Sequence, residues 1–451
     1  MKTDVQNEVL NGSIFAGILK MALPLMLLNL INTGYALVDT FFVGKISELA
    51  VGAVSLVAPI IGCGNACIVG LCSAAVALIS LALGEGSKEK ADKAANHIFF
   101  LGLIFGVAAG ALFLLCRDVI LVWMETPAEI YQLTRSYLTG ISFDFLFLFI
   151  VSFFQSVKQA AGNTRIGVVL NIAACLLNCV LDPLFIYVFQ LGTFGAAIAT
   201  LLSKALMAPI ALRILLNPKE PVSLSKAMFR PERKLVKKVI TVALPATVGQ
   251  FLASFGFVLM SKEIVSYGAI IMSAYGIGNQ ISSLFYIPLN GIGSALTTFI
   301  GQNLGSGNRP RARECYRKTM GLTAITSVVF TVVGFFLARP AINLFIRNAS
   351  ELLIKEALIY AYFSIFTSFC MGWFNNLMAV YNGSGNTLIS MILSACRLFA
   401  VRIPVIWLLA RFTNLQHIGI WVAMIISNLI ICLSGQIIYR HYPWDCRGVR
   451  I

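Results

Sequence analysis

Apolar stretches of about 20 residues recur along the whole chain, and they constrain its fold more than anything else in it. Twelve can be counted, at about 14–44, 49–83, 94–116, 131–157, 166–190, 193–216, 235–260, 268–304, 319–338, 356–380, 387–410 and 418–439. A run of this length crosses the hydrocarbon of a bilayer as an α-helix. In lipid the backbone has to satisfy its own hydrogen bonds, which leaves little besides helices. Of the 451 residues 58% are hydrophobic and only 12% are charged, where a soluble protein carries about 25% charged residues. The reading is an all-α polytopic membrane protein of twelve transmembrane helices, with the lipid bilayer as its solvent. Segments two and eight exceed what a perpendicular span needs, so they tilt or kink.

The net charge of +15 does not point to nucleic acid, because the basic residues sit between the apolar segments. Placing the N-terminus in the cytoplasm puts 23 of the 34 Lys and Arg on the inner side. Eight of these lie between Arg213 and Lys238 and five between Arg309 and Lys318. That is the positive-inside pattern, with both termini cytoplasmic and the chain in the cell (inner or plasma) membrane. The first thirteen residues are polar and mixed in charge, unlike a cleavable signal peptide. The eleven cysteines form no CxxC and the three histidines show no metal-ligand spacing. No HExxH or serine–histidine constellation is present, so an enzyme is not expected, nor is a cofactor.

The chain repeats itself. Ala22-Leu23-Pro24 returns as Ala243-Leu244-Pro245, and Gly84-Glu85-Gly86 as Gly305-Ser306-Gly307, both at an offset of 221. Gly162-Asn163-Thr164 returns as Gly385-Asn386-Thr387 at 223. Three ordered matches at nearly one offset indicate two six-helix halves. These are residues 1–217 and 235–451, joined by a basic cytoplasmic linker at 218–234. Six is even, so the repeats are parallel, as in transporters that bind substrate between such halves.

Chemistry inside the spans is sparse. An ionisable group in hydrocarbon is costly and marks a functional site by default. Only Asp39, Asp144 and Asp182 are acids in the interior of apolar segments, and all lie in the first half. The repeat counterpart of Asp39 is Met260, and that of Asp182-Pro183 is Ile403-Pro404. Acids needed for folding alone would recur in both halves. Pro24, in the same helix as Asp39, frees a backbone carbonyl and invites a kink. Asp39 lies roughly 28 Å above Lys20 and Asp182 roughly 25 Å above Arg165 by helix rise, while Thr200 lies roughly 9 Å below the outer edge. Asn178 is one turn from Asp182 on the same face. A pocket of Asp39, Asn178, Asp182 and Thr200 is therefore allowed. Two carboxylates in an apolar site resist double ionisation and take up a proton. Alternatively, their oxygens, an amide and a hydroxyl suit Na⁺. Lys204 could pair with Asp144 or serve as counter-ion to the pocket. Arg397 and Arg402 could line a cavity, pair with neighbours or hold an anionic group.

These stretches resemble the multidrug and toxic compound extrusion (MATE) family over nearly the whole chain. The residues that carry the resemblance are PLMLLNLINTGYALVDTFFVG (24–44), GEGSKEKA (84–91), AAGNTR (160–165), NCVLDPLFIY (178–187), GTFGAAIAT (192–200) and GQNLGSGN (301–308). The resemblance implies the MATE fold, with a first-lobe cation site at Asp39, Asn178, Asp182 and Thr200 and a bending point at Pro24. It also implies a monomeric antiporter driven by H⁺, or by Na⁺, that exports amphipathic, often cationic small molecules. Some members carry acids in the seventh and tenth helices. Here the seventh offers only Gln250, which favours a DinF-like branch without a second-lobe cation site. The alternative within the same architecture is a flippase for a lipid or lipid-linked saccharide, with Arg397 and Arg402 on a phosphate.

Overall fold

The apolar segments fold as helices, and no strand forms among the described residues of the computed structural model, which are 4–44, 46, 48–124, 126–225, 232–265, 267, 269–345 and 351–445. Part of the expected linker, residues 226–231, lies outside them. The first half contains α1 (Asp4–Asn11), α2 (Ile14–Gly44), α3 (Glu48–Gly84), α4 (Lys88–Trp123), α5 (Ala128–Ser142), α6 (Asp144–Ala160), α7 (Thr164–Pro183) and α8 (Gly192–Leu215). The second contains α9 (Arg233–Val265), α10 (Ala269–Gly305), α11 (Arg309–Phe345), α12 (Glu351–Phe366), α13 (Ser368–Gly383), α14 (Thr387–Ala395), α15 (Ile403–Phe412) and α16 (Ile418–His441). Short π-helical segments follow α7 (Leu184–Val188) and join α14 to α15 (Cys396–Arg402). Among the described residues ten helical runs are long and apolar enough to cross a membrane, and two bent pairs bring the number to twelve.

Those bent pairs depart from the unbroken spans expected at 131–157 and 356–380. α5 and α6 meet at 46°, and α12 and α13 at 48°. At the first break the Phe143 N–H turns to the Gly140 carbonyl at 3.3 Å, while the Ser142 hydroxyl donates to the Leu138 carbonyl at 2.6 Å. Asp144 then opens α6, where the positive end of the helix dipole favours a carboxylate. At the second break the Thr367 hydroxyl donates to the Ser364 carbonyl at 2.8 Å. Hydroxyl side chains that satisfy freed carbonyls make such breaks tolerable at membrane depth.

The repeated glycine motifs are tight inter-helix turns. Gly86 and Gly307 have φ of +75° and +79°, and Gly162 and Gly385 have +83° and +77°. Only glycine enters this left-handed region without a steric penalty, so the repetition in sequence reflects one turn used twice.

By contacts the chain forms two compact units, one built mainly of Leu27–Thr247 and the other of Glu8–Met26 with Val248–Arg450. The borders cross α2 and α9 two residues beyond Pro24 and Pro245, not within the linker. In the first unit α3 packs on α4, α5 and α6, and α8 packs on α5, α6 and α7. In the second, α10 packs on α11, α12 and α13. One close helix crossing at a glycine recurs in both units. A Cβ on Gly70 of α3 would collide with the Thr247 hydroxyl and stand 2.9 Å from the Ala243 carbonyl oxygen of α9. A Cβ on Gly291 of α10 would stand 2.5 Å from Met26 Cγ and 3.1 Å from the Ala22 carbonyl oxygen of α2. The two crossings are related residue for residue by the same offset of 221, so the repeat extends to packing.

Candidate cation site

In the first unit the two long apolar helices α2 and α7 bring their acids toward one another. Asp182 and Asn178 are fully buried on one face of α7. The Asn178 side-chain amide donates to Asp182 Oδ1 at 3.1 Å, the i,i+4 contact that their spacing allows. Asp39 approaches from α2, near enough for the two carboxylates to repel one another. Thr200 on α8 is buried, and its hydroxyl reaches the Tyr35 phenol.

The hydrogen-bond inventory defines the chemistry. Asp39 Oδ1, Asn178 Oδ1 and Asp182 Oδ2 are buried acceptors without a donor. An unsatisfied buried acceptor costs about 1–3 kcal/mol, and more when charged. Three of them together call for a positive species. A proton on either carboxylate would supply a missing donor, and the same oxygens fit Na⁺ as hard ligands.

Lys204 stands beside this group. Its Nζ lies 2.5 Å from Asp144 Oδ2, and its charge also acts on Asp39. Asp144 is 4% exposed, and its second oxygen, Oδ1, is buried without a partner. Three residues of the cluster escaped the sequence reading. Tyr35 shares a hydrogen bond of 3.2 Å with Ser203, and the Ser203 hydroxyl donates to the Thr200 carbonyl at 2.8 Å. Tyr137 of α5 is buried within electrostatic range of Asp39, Asp144 and Asp182. Tyr35 and Ser203 were discoverable, since they stand one turn from Asp39 and Thr200. Tyr137 gives no such signal, because it arrives from another helix.

The second unit is different at the corresponding places. Met260 is 1% exposed in an apolar cluster with Ile264, Ile406, Ile420 and Trp421. Gln250 is exposed on α9. Arg397 and Arg402 are buried, at 6% and 3% exposure. A buried ion costs several kcal/mol even after relaxation. The partners these two find are neutral, and each such contact returns about 1–3 kcal/mol.

A family model described as MatE matches the chain twice, over residues 24–184 and 245–408, so each match begins at the repeated proline. A probable multidrug resistance protein NorM of Thermotoga maritima is 25% identical over 441 residues, covering 96% of this chain and 93% of that protein. The multidrug export protein MepA of Staphylococcus aureus is 22% identical over 436 residues, covering 94% of each. A solved outward-facing conformation of a multidrug resistance MATE family transporter of the MOP superfamily superposes with a TM-score of 0.92 at 21% identity, covering 98% of each chain.

Proposed function

The chain belongs to the MatE family, and from that premise we propose that it is a proton-coupled antiporter that exports amphipathic, often cationic compounds across the cell membrane. The names of both relatives refer to drug resistance or export, which supports efflux over lipid flipping. The basic loops support an orientation with both termini in the cytoplasm.

The observation that carries the reading is the set of donorless oxygens on Asp39, Asn178 and Asp182 in one unit, against Met260 and Ile403 at the repeat counterparts. A proton is favoured over Na⁺ because two carboxylates close together in an apolar site resist double ionisation and can hold one proton between them. A single shared proton then relieves the repulsion between the carboxylates. Binding a cation at this site changes how α2 packs, and Pro24 lets the helix respond. If the cation and the exported compound each favour a different conformation, loading one promotes release of the other.

The test is transport in vesicles with the pH gradient and the sodium gradient imposed independently. Efflux that follows the pH gradient alone, and that Asp39→Asn and Asp182→Asn uncouple, supports the reading. Efflux that follows sodium alone overturns the choice of ion. Coupled transport unimpaired in both variants overturns the site.

A further inference from the structure

The second unit buries two guanidiniums without a carboxylate to meet them. Its ion pairs, Arg313–Asp445, Lys318–Glu314 and His417–Glu356, all lie elsewhere. Among the described residues neither Arg397 nor Arg402 has an acid within ion-pair distance. Both belong to the π-helical segment Cys396–Arg402 inside the span 387–412. Insertions of this type are frequent at functional sites.

Arg402 points Nε at the Ser427 hydroxyl (3.0 Å) and Nη2 at Asn428 Oδ1 (2.8 Å), two neutral acceptors on α16. Arg397 lies over the Phe374 ring at 4.4 Å and directs Nη1 at Met371 Sδ at 3.4 Å. Its Nε is buried and donates to nothing. The Trp421 indole N–H, packed against Tyr275 and Tyr360, is a further buried donor without an acceptor. Arg402 acts electrostatically on Tyr275, Tyr360 and Arg397, so these groups form one neighbourhood.

The cluster around Asp39 and Asp182 shows the opposite pattern, with acceptors lacking donors. Around Arg397 and Arg402 there are donors lacking acceptors and two like charges that repel each other. Hydrogen bonds to neutral oxygens orient an arginine but leave its charge uncancelled, and stacking on a phenyl ring does the same. Water could satisfy the N–H groups but could not neutralise them.

We propose that Arg397 and Arg402 form a binding site for a small inorganic monovalent anion, with chloride as its simplest occupant. Phe374 covers one face of the Arg397 guanidinium, so the anion takes the N–H edge at Nε, where the hydrogen bonds are in plane. The enclosure of both side chains selects a small anion over a carboxylate-bearing compound. The anion relieves the repulsion between the arginines and so stabilises the π-helical segment that carries them.

The test uses the purified full chain in detergent at fixed sodium concentration and ionic strength, with gluconate replaced stepwise by chloride. A saturable rise in Tm with chloride, reproduced by bromide, is expected. Gln250→Ala should keep that response, and Arg397→Gln and Arg402→Gln should lose it. A Tm that does not change with chloride overturns the proposal, as does an unchanged response in both arginine variants. Should the variants fail to fold, crystals of the unaltered protein grown in bromide decide. An anomalous peak at the Nε edge of Arg397 supports the site, and its absence at saturating bromide refutes it.

Discussion

The Nζ of Lys204 on α8 lies 2.5 Å from Oδ2 of Asp144, the residue that opens α6 immediately after the break at Phe143. The ammonium thereby anchors a helix end that would otherwise bury an unpaired carboxylate. Removing one partner of such a buried pair costs about 3–5 kcal/mol, whereas replacing both removes the desolvated charge as well. Asp144→Asn and Lys204→Met should therefore each lower Tm in detergent, and the double variant should lose less than their sum. Additive losses would mean that the contact is not a coupled pair.

The proposed cation site would give Lys204 a second role that separates it from Asp144. It acts on Asp39 as well, so Lys204→Met should change the pH profile of transport, and Asp144→Asn should change it less. Transport rates measured across pH in reconstituted vesicles check this. Identical profiles for the two variants would reduce Lys204 to a structural counter-ion.

Tyr35 and Ser203 share a hydrogen bond of 3.2 Å beside Thr200. Tyr35→Phe removes the phenol O–H and keeps the ring, at a stability cost of about 1 kcal/mol. The expected result is a folded protein whose coupled transport is weakened, read as drug efflux at a fixed pH gradient. Wild-type efflux in this variant would exclude the phenol from the cation site.

The paired glycine crossings predict a graded response. Ala at Gly70 or Gly291 places a Cβ against the backbone of Thr247 or the side chain of Met26, and overpacking of this kind costs about 1–3 kcal/mol. Gly62 in α3 has nothing within 4 Å of a built Cβ, so Gly62→Ala should be neutral or raise stability through helix propensity. Thermal unfolding of the three variants in one detergent gives the comparison. Equal Tm values would contradict the close crossings.

Met260 tests the asymmetry between the repeats. Met260→Asp restores the acid found in the first repeat but places it in an apolar cluster with Ile264, Ile406 and Ile420. The counterparts of Asn178 and Asp182 are Phe399 and Ile403, so the amide and second acid of the first repeat have no equivalents at the matching positions. The variant should be strongly destabilised and should gain no second coupled cation, as measured by Tm and by ion stoichiometry.

Much of this was legible in sequence because it rests on local or periodic physics. The requirement for internal backbone hydrogen bonding turns each apolar run into a helix. The glycine turns repeat because only glycine takes a left-handed φ cheaply. The i,i+4 spacing of Asn178 and Asp182 guarantees a shared face, and their hydrogen bond follows. The breaks at Phe143 and Thr367 were not legible. Each depends on a hydroxyl taking up a freed carbonyl, and serine or threonine within a helix carries no sign of whether it will.

What the sequence determined by itself was the class of protein, the repeat and the residue types able to bear charge in lipid. Its period, composition and charge distribution are properties of a single chain read along its length. What only the tertiary structure decided was partnership. It joined Lys204 to Asp144, brought Asp39 within reach of Asp182, and added Tyr35, Ser203 and Tyr137 to the same group. It also showed that among the described residues neither Arg397 nor Arg402 has a carboxylate partner. Burial and pairing depend on which helices lie side by side, and side-chain packing sets that over separations that no local pattern records.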